Sequence, residues 1–494
     1  MRRKRVLLFV AAVTLALGLA GTITASSFTV GPLVLASGPS PFASCAIGGP
    51  GTNYPNTEIE PWVDVNPTNP NNIIGVFQQD RWSNGGAHGL VATVSHDGGA
   101  TWTESWAHFS LCSGGNASNG GDFERASDPW VSFAPNGHAY QIAITFNASN
   151  GTNGVLVSKS TNGGDTWSDP VTLRRDNADV APFFFNDKES ITADPTNANN
   201  VYAIWDRTRF PSELANPNAL HSFAFRGDIM FSRTTNGGLT WEPARALFEP
   251  RSNQFSIGNQ IVVLPDGTLV DIFNFEKGSG RQPSPSVFSQ AVIRSTDHGL
   301  TWSSPIVISN DDSLPVRDPD TGEPVRAGTF LPDIAVDPSD GTLYAVWADG
   351  RFSKRDHDDI ALSRSTDGGL TWSDPIKVNE SPSGVTAFTP SVHVTPDHVV
   401  AVTYYDFRNN TSDPNTLWTD YFIVHSHNHG LTWGNEAQIT STSFDMKTAP
   451  FAGGFFVGDY EGLDNIGNHF VPFFIQTNTG NTANRTDAFF TTAG

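Results

Sequence analysis

The sequence predicts an all-β protein, a β-propeller of four-stranded antiparallel blades, with seven blades and six as the alternative. Three observations lead to this class. The 494 residues include 46 Gly and 33 Pro, which suit many short strands joined by tight turns. Only 16% of the residues are charged, too few for a coiled coil or a helical bundle. One octapeptide recurs six times, and self-similarity at such a period indicates a repeat architecture.

The repeated octapeptide follows the pattern S/T-x-D/N-x-G-x-T-W and predicts a hairpin turn between the third and fourth strands of each blade. Its Asp or Asn side chain can bond backbone N–H groups two residues on, and its Gly accepts a positive φ. Its Trp can pack between neighbouring sheets. The six copies are Ser95–Trp102, Ser160–Trp167, Thr234–Trp241, Ser295–Trp302, Ser365–Trp372 and Ser426–Trp433.

A second recurring unit, a pair of strands joined by a short turn, lies upstream of the boxes. The copies are Ala327–Arg351, Ser190–Arg207, Trp62–Arg81 and Pro390–Arg408, with weaker ones at Pro129–Phe146, Gln260–Phe275 and Leu463–Gln476. The seventh pair has no box, and the chain ends after one more strand, Asp487–Thr492. We expect Phe28–Leu35 to supply the missing outer strand, which closes a ring of seven blades; six follow if two weak pairs are not independent.

The N-terminus predicts an exported protein. Residues 1–25 combine a basic start, an apolar run of about 15 residues and small residues, as in a secretory signal peptide. An uncleaved membrane anchor is the alternative. Residues 26–56 follow as an N-terminal segment that could close the ring, and residues 57–494 form the propeller. We expect a secreted, bacterial, monomeric protein with no membrane association after signal cleavage.

Charge and cysteine content restrict the partners. The net charge of −21 becomes −25 when the four basic residues at positions 2–5 are removed. Such a surface repels phosphates, so nucleic acid is not expected as a partner. Cys45 and Cys112 can form a disulfide in an exported chain, with two free thiols as the alternative.

Charged residues recur where loops of one face should meet the central channel. Loops before first strands and after second strands share one face of a propeller, whereas the boxes lie on the other. First strands begin near Glu60, Asp128, Glu189, Asp333, Tyr460 and Glu461, and second strands end at Asp80, Arg81, Asp206, Arg207, Asp349, Arg351, Asp406 and Arg408. One interpretation is a binding site at the channel mouth. The other is a set of ion pairs that brace neighbouring blades.

With its six boxes, nearly the whole mature chain resembles the Asp-box, or BNR-repeat, sialidase-like superfamily. The resemblance implies a glycoside hydrolase of exo-α-sialidase type that acts on terminal sugars of glycans without a cofactor. Sialidases use a Tyr nucleophile instead of a second carboxylate. By position, the resemblance implies Tyr460 as nucleophile, Glu189 as its partner and Asp80 as acid/base. It implies that the substrate carboxylate is held by Arg207, Arg351 and Arg408, with Arg81 or Arg125 as a substitute for the family's first Arg.

One departure keeps other functions open. Glu58–Trp62 stands where sialidases carry an Arg-Ile-Pro motif. The acidic mouth could instead bind structural Ca²⁺, or a neutral glycan that two acids hydrolyse. A non-catalytic propeller that binds glycans or proteins at the mouth is the alternative function, and a structural surface protein is a third.

Two smaller features have a structural and a functional interpretation. Trp82, Trp205 and Trp347 could stack on sugars, although core packing is the expected role. His425, His427 and His429 alternate as metal ligands could, but no ligand spacing supports a metal site, and none is expected.

Overall fold

In the computed structural model, residues 28–177, 182–210, 226–251, 254–277 and 287–494 are described, and their regular structure is almost entirely β-strand. The predicted signal peptide, residues 1–25, lies outside the described residues. Among the residues that are described, no helix is long and apolar enough to cross a membrane. Short 3-10 turns lie at Leu111–Ser113, Gly350–Ser353 and Met446–Thr448.

The strands, in chain order, are β1 (Val34–Leu35), β2 (Glu58–Val65), β3 (Ile73–Arg81), β4 (Ala87–Ser95), β5 (Thr103–Ser105), β6 (Arg125–Phe133), β7 (Ala139–Phe146), β8 (Asn153–Ser160), β9 (Val171–Asp176), β10 (Phe184–Ala193), β11 (Val201–Arg209), β12 (Arg226–Thr234), β13 (Arg245–Phe248), β14 (Gln254–Val263), β15 (Leu269–Lys277), β16 (Val287–Ser295), β17 (Ile306–Asn310), β18 (Val325–Arg326), β19 (Asp333–Val336), β20 (Leu343–Asp349), β21 (Asp359–Ser365), β22 (Ile376–Lys377), β23 (Ala387–Val394), β24 (Val400–Asp406), β25 (Trp418–Ser426), β26 (Gly434–Gln438), β27 (Phe444–Asp445), β28 (Phe455–Phe456), β29 (Gly462–Ile466), β30 (His469–Thr477) and β31 (Thr486–Phe490).

Successive groups of four strands form antiparallel sheets. We number them sheet 1 (β2–β5), sheet 2 (β6–β9), sheet 3 (β10–β13), sheet 4 (β14–β17), sheet 5 (β19–β22), sheet 6 (β23–β26) and sheet 7 (β29–β31 with β1). A pairing of Ala87 with Ala126 connects sheets 1 and 2, and β27 adds to β25 of sheet 6. The predicted all-β class and the four-stranded antiparallel units are therefore confirmed.

The N-terminal segment completes the last sheet. Val34 and Leu35 pair with Phe490 and Phe489 of β31, so β1 is the outer strand of sheet 7. Further along this segment, Cys45 is joined to Cys112 by a disulfide. The two ends of the described chain are thus held together by backbone pairing, and the disulfide fixes the segment to the loop after sheet 1.

The first strands of the sheets lie side by side. Residues from the first strands of all seven sheets line one pocket. Carboxylates connect neighbouring first strands: Asp64 of β2 accepts a hydrogen bond from Phe133 N of β6 at 2.8 Å. In the same way, Asp464 of β29 accepts from Val65 N of β2 at 2.7 Å. These bonds satisfy backbone N–H groups on the edges of the first strands, where no other strand of the same sheet pairs with them.

Apolar side chains fill the spaces between neighbouring sheets. Trp205 and Trp347 are fully buried there, each within a cluster of aliphatic residues from two adjacent sheets. Trp82 is also buried, with the Arg125 guanidinium 4.4 Å from its ring. The expected core role fits all three, because no face of these rings is free for a sugar.

The Asp boxes are closed turns. In the first box, Ser95 Oγ accepts from Gly99 N at 2.8 Å, and Asp97 Oδ1 accepts from Thr101 N at 2.9 Å. The ring of Trp102 donates its N–H to Gly99 O at 3.1 Å. Because the positions that recur in all six boxes bond to one another, the box is a structural unit, as its sequence predicts.

The disulfide gives a direct test of how firmly the N-terminal segment is fixed. Replacing Cys45 and Cys112 together with Ser should lower the free energy of unfolding by about 4 kcal/mol, the chain-entropy value for a loop of this length. Denaturant unfolding measures the change, with reduced wild-type protein as the control. An unfolding midpoint equal to that of the oxidised protein would show that the segment is held by its strand pairing alone.

Candidate functional site

A shared irregularity shapes one end of the first strands. The pairing of β2, β6, β10, β14 and β23 with the next strand shifts register near its start, which marks a β-bulge. One residue in each bulge has a positive φ: Glu60, Asp128, Lys188, Gly258 and Thr389. A bulge re-aims side chains and is common next to functional sites. Here the bulges bring charged residues of different sheets together.

The centre of this assembly is the ammonium group of Lys188. Its Nζ lies 2.9 Å from Glu60 Oε1, 3.2 Å from Asp128 Oδ2 and 2.9 Å from Asp459 Oδ2. All four side chains are buried. We call these residues the Lys188 cluster. Buried charges require such pairing, because removing a charge from water without a partner costs several kcal/mol.

Arg326 supplies a second cation beside Asp459. Strand β18 pairs in parallel with β28 and carries Arg326 to this position, where its Nε lies 3.1 Å from Asp459 Oδ1 and its Nη2 bonds Oδ2. The guanidinium also lies 4.2 Å from the Phe456 ring. Gly328, two residues after Arg326, has φ 53°, and a Cβ atom added at this position would lie 2.4 Å from Asp459 O. Only glycine allows this close approach.

The cluster drives its carboxyl groups to different pKa values. Burial, and then the charge of Asp128, raise the pKa of Glu60 to about 8. Burial also opposes ionisation of Asp128 and Asp459, but cations outweigh it: Lys188 lowers the pKa of Asp128, and Arg326 with Lys188 lowers that of Asp459. Glu60 therefore holds a proton at neutral pH, whereas the two aspartates are charged.

An aromatic wall lies next to the cluster. The rings of Trp62 and Trp130 are stacked with centroids 3.5 Å apart, and Tyr460 lies 5.3 Å from Trp130. These three residues line one pocket together with Lys188 and Asp459. A flat apolar surface beside polar groups is what the face and hydroxyls of a sugar need.

Two buried carboxyl groups enter the same pocket with one oxygen each left without a partner. Glu189 accepts from Ile144 N through Oε1, and Glu461 accepts from Ile475 N through Oε2. The other oxygens, Glu189 Oε2 and Glu461 Oε1, have no hydrogen-bond partner. Burial raises the pKa of both groups well above its usual range. Each is therefore a neutral acid in this state.

Tyr460 and Glu189, the predicted nucleophile and its partner, line this one pocket. The Tyr460 hydroxyl donates to Pro129 O at 3.3 Å, and Glu189 Oε1 accepts from Ile144 N, so each side chain has another partner in this structure. Burial and the charge of Glu60 raise the pKa of Tyr460 well above 10. The phenol is therefore protonated in this state.

Asp80, the predicted acid/base, lies elsewhere. Its carboxylate accepts from Ser40 Oγ at 2.6 Å and Asn56 N at 2.8 Å, and it lies 3.1 Å from His88 Nδ1. It does not line the pocket. Asp80 has a positive φ, and its side chain anchors the N-terminal segment through Ser40 and Asn56.

Arg81 lies beneath the site, whereas the other predicted arginines do not reach it. Arg81 is buried and donates to Gln78 Oε1 at 2.7 Å. Gln78 in turn donates to Glu60. Arg81 therefore contacts the Lys188 cluster through Gln78 and does not line the pocket.

Arg207, Arg351 and Arg408 are engaged in ion pairs within or between strands. They bind Asp176 at 2.7 Å, Asp349 at 2.7 Å and Asp406 at 2.6 Å, respectively. Arg408 also bonds Glu436. None of the three arginines lines the pocket. The ion pair of Arg207 connects sheets 3 and 2, as the bracing interpretation expects, whereas those of Arg351 and Arg408 lie within sheets 5 and 6.

Sequence reasoning missed Lys188, Asp459 and Arg326. The first two immediately precede the predicted Glu189 and Tyr460, and the bulge of β10 turns Lys188 toward the cluster. An unusually charged run, Asp187 to Glu189, was the available signal. Arg326 lies outside the repeat, and no pattern marks it. In the Lys188 cluster, Lys188 and Arg326 form ion pairs with acidic side chains of the kind proposed above as Ca²⁺ ligands.

Comparisons with known proteins agree with the repeat pattern. A family model described as a BNR repeat-like domain matches residues 228–450, a range that holds four of the six boxes. This match confirms the predicted resemblance to BNR-repeat proteins. The xyloglucanase Xgh74A of Acetivibrio thermocellus is 24% identical over 255 residues, which are 48% of this chain and 25% of that protein. The chain thus spans about a quarter of this relative.

Solved structures with similar folds include two sialidases and an arabinanase. The Hadza microbial sialidase Hz136 has a TM-score of 0.46 at 14% identity, over 85% of this chain and 73% of that one. The NanB sialidase of Streptococcus pneumoniae has 0.46 at 10%, over 89% and 94%. The α-L-arabinanase of Penicillium chrysogenum has 0.47 at 11%, over 94% and 98%.

The protonated state of Glu60 has a measurable consequence. The native protein keeps this proton up to about pH 8, whereas the unfolded chain releases it near pH 4.5, so the native state binds more protons between these values. The contribution of Glu60 to the free energy of unfolding therefore falls as the pH rises from 4.5 to about 8. Glu60→Gln should flatten the dependence of unfolding free energy on pH between about 5 and 8.

Urea unfolding at several pH values measures this slope. Glu242→Gln, at an exposed carboxyl that pairs with Arg233 away from the pocket, is the control and should keep the wild-type slope. Equal slopes in Glu60→Gln and wild type would contradict the assignment of the proton to Glu60.

Proposed function

We propose, from the BNR repeat-like domain at residues 228–450 and from the pocket beside the Lys188 cluster, that this protein is a glycoside hydrolase acting on glycans. The observation that carries the proposal is one pocket that combines an aromatic wall, a neutral carboxylic acid at Glu189 and an ionised carboxylate at Asp459. Most glycoside hydrolases use two carboxyl groups in opposite protonation states.

Glu189 and Asp459 have different roles in the proposed reaction. Glu189 donates its proton to the glycosidic oxygen as the bond to the sugar breaks, and its unpartnered Oε2 is the oxygen free to do so. Asp459, kept ionised by Arg326 and Lys188, stabilises the positive charge that develops on the sugar ring. Water completes the hydrolysis and returns the proton to Glu189. The stacked Trp62 and Trp130 hold the sugar face.

The charges favour a substrate without a carboxylate. Arg207, Arg351 and Arg408 are committed to ion pairs, and Lys188 and Arg326 are neutralised by the cluster. A substrate anion would have to displace buried pairs, which is costly. We therefore propose a neutral sugar at the pocket.

Exo-α-sialidase activity is the second candidate, because Tyr460 and Glu189 line the same pocket as the resemblance implies. In this version Glu189 accepts the phenol proton of Tyr460 as the phenolate attacks the sugar. Glu189 must then be ionised at the start, whereas the first mechanism needs it protonated. The two candidates therefore make opposite demands on one group.

Two further proposals concern the whole molecule. We propose that the seven sheets close into a seven-bladed ring, which the pocket lined by all seven first strands supports. We propose that the protein acts outside the cell, which the Cys45–Cys112 disulfide supports, since disulfides persist in oxidising surroundings.

The test is turnover of a panel of glycosides by the wild-type chain and by Glu189→Gln. The panel contains neutral aryl glycosides, an aryl α-sialoside, xyloglucan and arabinan. We expect turnover of a neutral substrate, and a fall in kcat of about 10²- to 10⁴-fold in Glu189→Gln on natural leaving groups. The loss should be smaller for nitrophenyl leaving groups, which need less protonation. Glu242→Gln should keep full activity.

Tyr460→Phe separates the candidates. It should leave turnover of neutral glycosides within a few-fold of wild type, since the ring still packs on Trp130. Turnover confined to the sialoside, and abolished by Tyr460→Phe, would support the sialidase instead. If no member of the panel is turned over at any pH from 4 to 8, the non-catalytic binding alternative replaces the proposal.

A further inference from the structure

Four potential metal ligands meet at the end of the sheets opposite the pocket. Asp337 and Asp340 lie in the turn between β19 and β20 of sheet 5, and His398 lies in the turn between β23 and β24 of sheet 6. His429 belongs to the Asp box that follows β25. One ligand atom of each residue lies within 4.8 Å of those of the other three. Two sheets thus contribute to one small constellation.

The structure assigns to Asp337, Asp340, His398 and His429 a zinc site that links sheets 5 and 6. Two imidazoles and two carboxylates suit Zn²⁺, which takes four N, O or S ligands in a tetrahedron. Ca²⁺ fits the set poorly, because it prefers six to eight oxygen ligands. Within the described ranges, this is the one group of three or more His, Cys, Asp or Glu with ligand atoms so close together.

The contacts around these residues hold them in place for a metal. Asp337 is buried, and its Oδ1 accepts from Ser339 N at 2.9 Å while Oδ2 lies 2.7 Å from His398 Nδ1. The rings of His398 and His429 have centroids 5.1 Å apart. The proton of the hydrogen bond between Asp337 and His398 lies between two groups that would both bind a metal ion. Zinc would replace this proton and draw His429 and Asp340 to the same point.

Another box of the same chain provides an internal comparison. His298 occupies the position of His429 in its box, and both have a positive φ where four boxes carry Gly. His298 Nδ1 lies 4.0 Å from Asp194, the corresponding turn residue of the preceding sheet. No second imidazole joins that pair among the described residues. The full set of four ligands is therefore particular to sheets 5 and 6.

The alternating histidines of the sequence contribute only His429 to this group. His425 is buried and stacks on Phe28 with ring centroids 4.0 Å apart, and His427 is exposed. His425 and His427 are not part of this group, and the partners of His429 come from other turns.

The test is the binding of ZnCl₂ by untagged, EDTA-treated full-length protein, measured by calorimetry and by thermal unfolding. Wild type should bind one zinc ion per chain and unfold at a higher temperature with zinc. Since loss of an outer-shell partner alone weakens metal binding about 10- to 100-fold, His429→Gly should weaken it at least as much. Circular dichroism should show a folded variant, because Gly suits this backbone position.

His298→Gly is the matched control, as it makes the same change at the same box position in another sheet. It should keep wild-type zinc affinity. The assignment would be overturned if wild type bound no zinc, if His429→Gly bound zinc as tightly as His298→Gly, or if CaCl₂ but not ZnCl₂ raised the unfolding temperature. None of these outcomes depends on glycosidase activity, because the ligands lie at the other end of the sheets.

Discussion

The site depends on one interaction, the contact of the Lys188 ammonium group with three buried carboxylates from other sheets. Lys188 belongs to sheet 3, Glu60 to sheet 1, Asp128 to sheet 2, and Asp459 precedes sheet 7. Four separate parts of the chain therefore meet at one atom. Burial opposes the charge of Lys188, but the three carboxylates outweigh it and raise its pKa well above the usual value. Arg326 and Lys188 keep Asp459 ionised, whereas burial and the charge of Asp128 keep Glu60 protonated.

The pocket chemistry follows from this arrangement. Because Lys188 and Asp459 are fixed, their neighbours Glu189 and Tyr460 are directed into the pocket beside Trp130. The bulges make this possible, since each takes one residue out of the regular alternation and turns it toward the other sheets. The left-handed conformation of Lys188 costs about 1–2 kcal/mol, which the ion pairs must offset. Strain of this kind at a pocket is typical of a functional position.

The repeat allowed most of the fold to be predicted, because turn chemistry and strand patterns are local. The boxes, the strand pairs and the pairing of Val34–Leu35 with the last sheet all follow from short stretches of sequence. The site was predicted only in part. Glu189 and Tyr460 do line one pocket, but Asp80 and Arg408 do not. The position of a residue at a strand end does not reveal which partner its side chain will contact. Arg326 could not be found, because its place depends on a two-residue parallel pairing outside the repeat.

The most direct test of the central interaction compares Lys188→Met with the same change combined with Glu60→Gln and Asp128→Asn, by denaturant unfolding at pH 7. Removing one partner of a buried ion pair typically costs about 3–5 kcal/mol, because the charges left behind are uncompensated. The account predicts such a loss for Lys188→Met and recovery of most of it in the triple variant, where Asp128→Asn removes a charge and Glu60→Gln replaces a carboxyl group that is already protonated. A single variant as stable as wild type, or a triple variant less stable than the single, would contradict it.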